Sequence, residues 1–585
     1  MRKILSKSCL AKIISSGLFS FIVVTVGCES SAYSACTYSG DASVSNSHCG
    51  TDYIQYYTGA GTATLTIADE TSIFAELKPF NGATGSFNQT LILEGSTTLS
   101  RPDYSAVVMQ TESANRDATV LIGENVNITS VGNFGAVWVR NDTSGDIVIE
   151  NAGTVHATGA PGITGTTNLG SVSVTNTGSV TSVTDWGLYA DGGYNNTIDS
   201  PALVSIVNSG TVNSYFAGAR AINYHGLATI TNSGTVNSTT RQGLVAWSDN
   251  GPVAIENSGS VTSGDDNAIH AMSETGDVTV FNSGSLMASD DPDVVAVRTG
   301  YSGIRAEAEF SGSIAVTNTA SGVISAVNDY AIATNTSLGD ITILNNGSIS
   351  GLSGVSATSA NGSASLTNNG SINATGQGVF LDGTTNVLIN SNIIATSGTL
   401  AVGTGDGATT VTNSGTISAG SATDTAISMG NGNNRLILDD SSVIIGKVTT
   451  GNGDNTLELS GANSGTLNAD LIGDSGQYQG FDSVEKTGSG TWRITGASSD
   501  VDWTVLSGIL SVAGTVQNVV VDGGTLSGSG TVGSLSIGSG ATLAPGNSIG
   551  TLTAGNVTLA SGSTYEVEVD AAGHSDKLAS TGTVT

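Results

Sequence analysis

The stretch Val278-Thr279-Val280-Phe281-Asn282-Ser283-Gly284-Ser285-Leu286 decides the fold, because versions of it return throughout the middle of the chain. Its asparagine recurs at Asn151, Asn176, Asn208, Asn232, Asn257, Asn282, Asn318, Asn345, Asn368, Asn390 and Asn413, in steps of 25, 32, 24, 25, 25, 36, 27, 23, 22 and 23. A period in the twenties marks a solenoid, in which each repeat covers the apolar face of the next. Period 2 puts Val278, Val280 and Asn282 on one face of a strand. Ile147/Ile149/Asn151, Val172/Val174/Asn176, Val253/Ile255/Asn257 and Ile341/Ile343/Asn345 keep that phase.

Two residues after the asparagine there is usually glycine (Gly153, Gly178, Gly210, Gly234, Gly259, Gly284, Gly347, Gly370, Gly415), which predicts a tight corner with φ > 0. After Asn390 the slot holds Asn392, the next best residue for that conformation. A second apolar position follows each corner (Val155, Val180, Val212, Val236, Val261, Leu286, Ile349, Ile372, Ile417) and opens a second strand. A third lies further on, as in Gly187-Leu188-Tyr189-Ala190, Gly243-Leu244-Val245-Ala246 and Ala268-Ile269-His270-Ala271. The expected fold is all-β: a right-handed parallel β-helix of three short strands per coil, with about 25 residues in a coil and roughly 20 coils. Coils stacked about 4.8 Å apart would fill a continuous aliphatic core, and each inward asparagine would bond to those above and below. The 79 glycines and 11% charged residues disfavour helix, and the Val/Ile alternation disfavours disorder.

The amino terminus carries Arg2, Lys3, Lys7 and Lys12, then an apolar run from Ile13 to Val26. This predicts a secretory signal peptide over 1–34, cleaved after Ala32 or Ser34. The rival lipobox, Thr25-Val26-Gly27-Cys28, has a poor first residue. Cys36 and Cys49 then remain, most simply as a disulfide closing a small loop and worth about 3 kcal/mol. The other reading is two free thiols or a metal pair, but with only His48 nearby a zinc site lacks ligands. Loss of the leader's four cations and Glu29 leaves 13 basic against 47 acidic residues, a formal −34. That excludes nucleic acid as the default partner.

Residues 35–145 keep strands but lose the Asn-Ser-Gly corner, which suggests an N-terminal cap with irregular coils. Regular repeats fill 146–429. The long steps 176→208 and 282→318 carry insertions, including Asp290-Asp291-Pro292-Asp293, of the kind that form outer binding loops. After Met429 come Gly430-Asn431-Gly432-Asn433-Asn434 and Gly451-Asn452-Gly453-Asp454-Asn455. They resemble calcium-binding nonapeptide repeats, but Asn434 and Asn455 replace the aspartate, so structural turns are expected.

Phe481-Asp482-Ser483-Val484-Glu485-Lys486-Thr487-Gly488-Ser489-Gly490-Thr491-Trp492 resembles the passenger-associated repeat of type V autotransporters. Gly528-Ser529-Gly530-Thr531-Val532-Gly533, Leu543-Ala544-Pro545-Gly546-Asn547-Ser548-Ile549-Gly550-Thr551-Leu552 and Tyr565-Glu566-Val567-Glu568-Val569-Asp570 are similar to that family's C-terminal passenger segment. Lys486, Gly488, Gly490, Trp492, Pro545, Gly546, Asn547 and Ser548 carry the likeness, which makes 430–585 a C-terminal stem with an autochaperone-like segment. The resemblance implies export through Sec, the outer-membrane assembly machinery and an outer-membrane translocator barrel. It implies display at, or release from, a Gram-negative cell surface. The barrel is expected in a continuation of the reading frame or on a separate chain, unless the gene is a truncated relic.

Two catalytic strings carry little weight. Gly473-Asp474-Ser475-Gly476 matches the nucleophile string of trypsin-like proteases, but it lies in the stem and His48, His156, His225, His270 and His574 are scattered singly. Asp265-Asp266, His225-Gly226 and Arg305 could belong to a polysaccharide-degrading site, but they spread over several coils without flanking motifs. The expectation is therefore a non-enzymatic passenger, an adhesin or surface interaction protein of unknown surface ligand, with no catalytic residue, metal or cofactor.

Overall fold

The computed structural model describes residues 88–585, apart from 103, 112–115, 133, 194–201, 290–300 and 499, with only the backbone of the strands Val23–Thr25, Ala35–Gly40, Ile54–Tyr56, Gly61–Ala68, Thr71–Ser72, Ala75–Leu77 and of Phe87 before them. Most of the predicted signal peptide, the Cys36 and Cys49 side chains and the insertion at Asp290-Asp291-Pro292-Asp293 lie outside the described residues. The chain is 58% strand and 1% helix, wound as a parallel β-solenoid of about 19 turns. It divides into two units, Met1–Asn335 and Thr336–Thr585.

In the first unit the coils repeat three strands, until Val323–Thr336 joins the second and third into one. Those carrying the asparagine, such as Ala228–Asn232, Val253–Asn257 and Val278–Asn282, pair in parallel with Asn232, Asn257 and Asn282 in register. The second strands (Thr235–Ser238, Ser260–Ser263, Ser285–Ala288) and the third (Leu244–Ser248, Ile269–Ser273, Ile304–Ala308) stack likewise. Parallel pairing already joins Gly61–Ala68, Phe87–Glu94, Ala118–Ile122 and Ile147–Asn151, so coil geometry precedes the Asn-Ser-Gly signature.

Alternation buries the predicted residues. Val253, Ile255, Val261, Ile269 and Ala271 are at most 1% exposed, each Val or Ile contributing roughly 1.5–3 kcal/mol. Alanines fill the centre of the third strand (Ala190, Ala221, Ala246, Ala271, Ala306), all of them fully buried. Asn151 donates from Nδ2 to Asn176 Oδ1 at 2.8 Å, and the chain of amides continues through Asn208, Asn232, Asn257, Asn282 and Asn318 at 2.7–2.9 Å. Each Nδ2 also reaches a corner carbonyl, as Asn257 does that of Gly259 at 3.2 Å. The insertions at 194–201 and 290–300 do not interrupt this ladder.

The corner glycines correct one expectation. None of Gly153, Gly178, Gly210, Gly234, Gly259, Gly284, Gly347, Gly370 or Gly415 has positive φ, and Asn392 does not either. A Cβ on Gly234 would stand 2.1 Å from the Gly210 carbonyl oxygen, and on Gly259 2.0 Å from that of Gly234. Glycine is there because successive corners nearly touch.

The second unit continues the pattern by itself. Asn345, Asn368, Asn390 and Asn413 link at 2.7–2.8 Å. Beyond them Asn434 donates to Asn455 at 2.9 Å, and Asp482 accepts from the Asn455 backbone at 2.8 Å, so both glycine-rich turns are rungs of a polar ladder. Coils then become shorter than the array predicts: Trp503, Val519 and Leu535 stack in register at spacings of 16, as do Asp502, Asn518 and Ser534 beside them. Strands Thr515–Val521 and Thr531–Ile537 each run through a former corner, which removes the residues a separate turn would need.

Candidate ligand-binding groove

In the third strand, inward alanines alternate with outward positions, and stacking turns those positions into columns. Trp138, Thr164, Tyr189, Arg220, Val245, His270 and Arg305 form one column. Two residues along, Arg140, Thr166, Asp191, Ile222, Trp247, Met272 and Glu307 form the next. Turns leading into these strands add Trp186, Phe216, Arg241 and Asp266 along one side. Three of the five tryptophans and four of the thirteen arginines and lysines after residue 34 thus fall on the two columns and their leading turns between 138 and 305.

The side chains make a groove of about 470 Å³ lined by Trp186, Phe216, Arg220, Arg241, Gln242, Trp247 and His270. Trp186 and Tyr189 stack with centroids 4.6 Å apart. The Arg220 guanidinium sits 5.2 Å from the Trp186 ring and 6.0 Å from Tyr189, and Arg241 lies 5.8 Å from Phe216. Neither arginine has an ion-pair partner among the described residues, so cation–π packing holds them. Arg220 Nε and Trp247 Nε1 are buried without hydrogen-bond partners among the described residues. Next to the Trp186–Tyr189 pair, a second depression of about 320 Å³ is lined by Tyr104, Phe134, Trp138, Arg140 and Asp191. There Tyr104, Phe134 and Trp138 follow one another at 5.3 and 5.5 Å.

Carboxylates are embedded among these cations. Asp191 is 2% exposed, and burial pushes its carboxyl up to about 6 against the Tyr189 hydroxyl, which donates to it at 2.7 Å, and the Arg220 charge. Its Oδ1 has no partner among the described residues. Burial and the adjacent Asp191 in turn push the Tyr189 phenol well up. Glu307 moves the other way, to about 2, because His270 Nε2 at 3.0 Å and Arg305 Nη2 at 2.7 Å favour its charged form. Burial raises Asp266, opposed by the Asn267 N–H and by His270, Arg241 and Arg305.

The residues read from the sequence partly converge. Asp266 and Arg305 meet in one electrostatic cluster with His270, Arg241 and Glu307. Asp265 and Asp266 occupy the turn before Ile269–Ser273, and His225 stands in another turn 3.1 Å from Asn250. Asp191 and Glu307 share a column but stand four coils apart, roughly 19 Å at about 4.8 Å per coil. That exceeds the roughly 5–9.5 Å separating the paired carboxyls of glycoside hydrolysis. Glu307, Asp191 and the ring series were not singled out from the sequence. Their signal was the outward phase of the third strand, which concentrates rings and charges where the other outward faces are mostly Ser and Thr.

In the stem the family-like residues are structural. Lys486 is 1% exposed and donates from Nζ to the carbonyls of Thr487, Gly488 (3.0 Å) and Ser507 (3.3 Å). Trp492 Nε1 donates to Ser460 O at 2.6 Å, and a Cβ on Gly490 would meet Asn463 O at 2.0 Å. Gly488 and Gly546 have φ of +67° and +93° and Ser548 +124°, while Asn547 accepts from Ser511 at 2.9 Å after the strand that Pro545 ends. Ser475 lies in a turn and bonds to no histidine among the described residues; His574 pairs with Asp570 at 2.8 Å. Among the described residues no group of three or more His, Cys, Asp or Glu could hold a metal ion.

Over 109 residues the chain is 40% identical to an extracellular serine protease of Serratia marcescens, a stretch amounting to 18% of this chain and 10% of that protein. The match therefore spans about a tenth of the relative's length. No protein-family profile and no solved structure matches the chain. This similarity corrects the expectation of a non-enzymatic protein: the named relative is an enzyme, and missing strings in one sequence do not exclude activity. An extracellular relative together with a parallel β-solenoid fits an exported passenger of the autotransporter type, at a secreted or surface location. Among the described residues no helix is long and apolar enough to cross a membrane.

Proposed function

We propose that this chain is an exported passenger that makes surface contacts, acting as an adhesin through the aromatic and arginine-lined face of its first unit. The observation that carries this reading is the Trp186–Tyr189–Arg220 stack at the mouth of a groove of about 470 Å³. Half-exposed rings held by arginine without carboxylate partners among the described residues are costly to leave on an acidic solenoid unless a ligand covers them. The test couples the purified full chain to beads and counts beads retained on epithelial monolayers under flow. Retention that falls at least tenfold in the Trp186→Ala/Trp247→Ala variant supports the reading. Retention equal to that of bare beads, or unchanged in the variant, removes it.

A second reading follows from the serine protease relative: the chain is part of a secreted protease. Casein hydrolysis by the full chain, with a fluorophosphonate label lost in Ser475→Ala, would support it. No turnover and no labelling would count against it.

A further inference from the structure

We infer that the groove takes an anionic oligosaccharide lying along the stacked coils, with sugar rings on the aromatic faces and acidic groups on Arg220 and Arg241. This rests on the groove being the binding face proposed above, and it names the ligand's chemistry.

Three features of the groove select that class. Its floor is the face of a parallel sheet whose backbone donors and acceptors are used within the ladder, so an extended peptide finds no free edge to extend. Recognition falls to side chains, and the side chains offer flat rings: Trp186 stacked on Tyr189 and Trp247 beside Tyr224, 5.8 Å between centroids. Second, a protein of formal charge −31 places Arg220 and Arg241 here with no carboxylate in ion-pair reach among the described residues, although Arg305, Arg140 and Arg435 each have one. A guanidinium left open over a ring is suited to a carboxylate or sulfate.

Third, acceptors stand beside the groove. Asp191, in the adjoining depression, is almost fully buried with one oxygen unpartnered among the described residues, and Asp266 lies near Arg241. Carboxylates among arginines repel a phosphodiester chain, which carries one charge per nucleotide and few hydroxyl donors. They suit a ligand that brings both acidic groups and hydroxyls, and an acidic glycan does so. The coil spacing of about 4.8 Å sets rings and cations repeating along the solenoid, in step with a polymer that presents a ring at every unit.

The experiment titrates the full chain with a heparin hexasaccharide, an oligogalacturonate hexamer, an uncharged cello-oligosaccharide, poly-glutamate and oligo(dT), reading tryptophan fluorescence and calorimetry. Binding of at least one acidic oligosaccharide is expected ten or more times tighter than the uncharged one. Trp186→Ala and Arg220→Gln should each weaken it about tenfold, and Arg220→Gln should flatten its salt dependence. Trp186→Phe keeps a ring and should retain most of the affinity, which separates stacking from a folding defect. Lys447→Ala, outside the first unit, should change nothing. Equal binding of the uncharged oligosaccharide overturns the acidic part of the inference. Oligo(dT) or poly-glutamate binding as tightly through the same residues overturns the saccharide. If no saccharide binds while bead retention still depends on Trp186 and Trp247, the ligand class fails and the adhesive reading stands. If retention itself ignores the groove, that reading fails first.

Discussion

In the repeat array the corner glycines from Gly153 to Gly415 keep ordinary backbone dihedrals, whereas in the stem fourteen glycines from Gly446 to Gly573 sit at positive φ. The array uses glycine for clearance: the Gly178 position is 2.1 Å from the Gly153 carbonyl oxygen, measured from an added Cβ, and Gly210 is 2.0 Å from that of Gly178. The stem uses it for chirality, in the tight turns that its shorter coils require. The same contrast separates the buried charges. The array face holds Asp191 with an unmet oxygen, while the stem caps Lys486 with three carbonyls. The array tolerates a costly outward side chain at a surface depression, and the stem uses its polar groups to fix its own coils.

Gly234→Ala should be the most damaging change in this contrast. Its Cβ would overlap backbone that cannot move without parting two coils, so a loss of about 3 kcal/mol or more is expected. Urea unfolding followed with hydrogen exchange across 208–259 would report it, and a loss below about 0.5 kcal/mol would show that the coils have slack.

Asp191 sharpens the comparison of charges through pH. Its folded value of about 6 lies above the ordinary 3.8, so the folded state holds the proton more tightly. The resulting stabilisation is complete below about pH 4 and is lost as pH rises through 6, by up to roughly 3 kcal/mol at about 1.4 kcal/mol per unit. Glu307 acts in the opposite sense lower down: its stabilisation is present above 4.5 and lost as pH falls toward 2. Thermal midpoints between pH 4 and 7 should therefore decline in the wild type relative to Asp191→Asn. Parallel profiles would mean that Asp191 is solvated.

Asn232→Ala removes one rung between Asn208 and Asn257. It leaves the Asn208 Nδ2 and Asn257 Oδ1 without each other's bridge, at a cost of about 1–3 kcal/mol. Asn237, whose exposed amide bonds to Asn213 at 2.9 Å, is the control, and its alanine variant should cost under about 0.5 kcal/mol. Equal effects would mean that the inward ladder is no more than surface decoration.

The array was legible because inward Val, Ile and Asn recur at fixed offsets, and a one-residue slip would expose all of them. Glycine positions were legible too, but their cause was not: φ and the distance between corners of successive coils are properties of the stack. The groove was hidden for the same reason. Arg305 and Asp266 could be picked out singly, yet nothing in the string said that Asp266, His270, Arg241 and Glu307 share one patch, or that Trp186 stacks on Tyr189. In the stem the spacing of Trp503, Val519 and Leu535 was written in the sequence, but without an asparagine to mark each coil it offered no phase.

The stem's side of the contrast is tested by Gly540→Ala. No atom lies within 4 Å of the added Cβ, so the whole penalty is conformational, set by a φ of +83°. About 1–2 kcal/mol is expected. Gly540→Asn should cost less, because asparagine visits the left-handed region more readily. At Gly234 that substitution should be no better than alanine, since the obstacle there is the neighbouring carbonyl and a larger side chain only adds to it. If asparagine rescued both positions alike, one backbone requirement would govern both regions, and the division between clearance and chirality would fall.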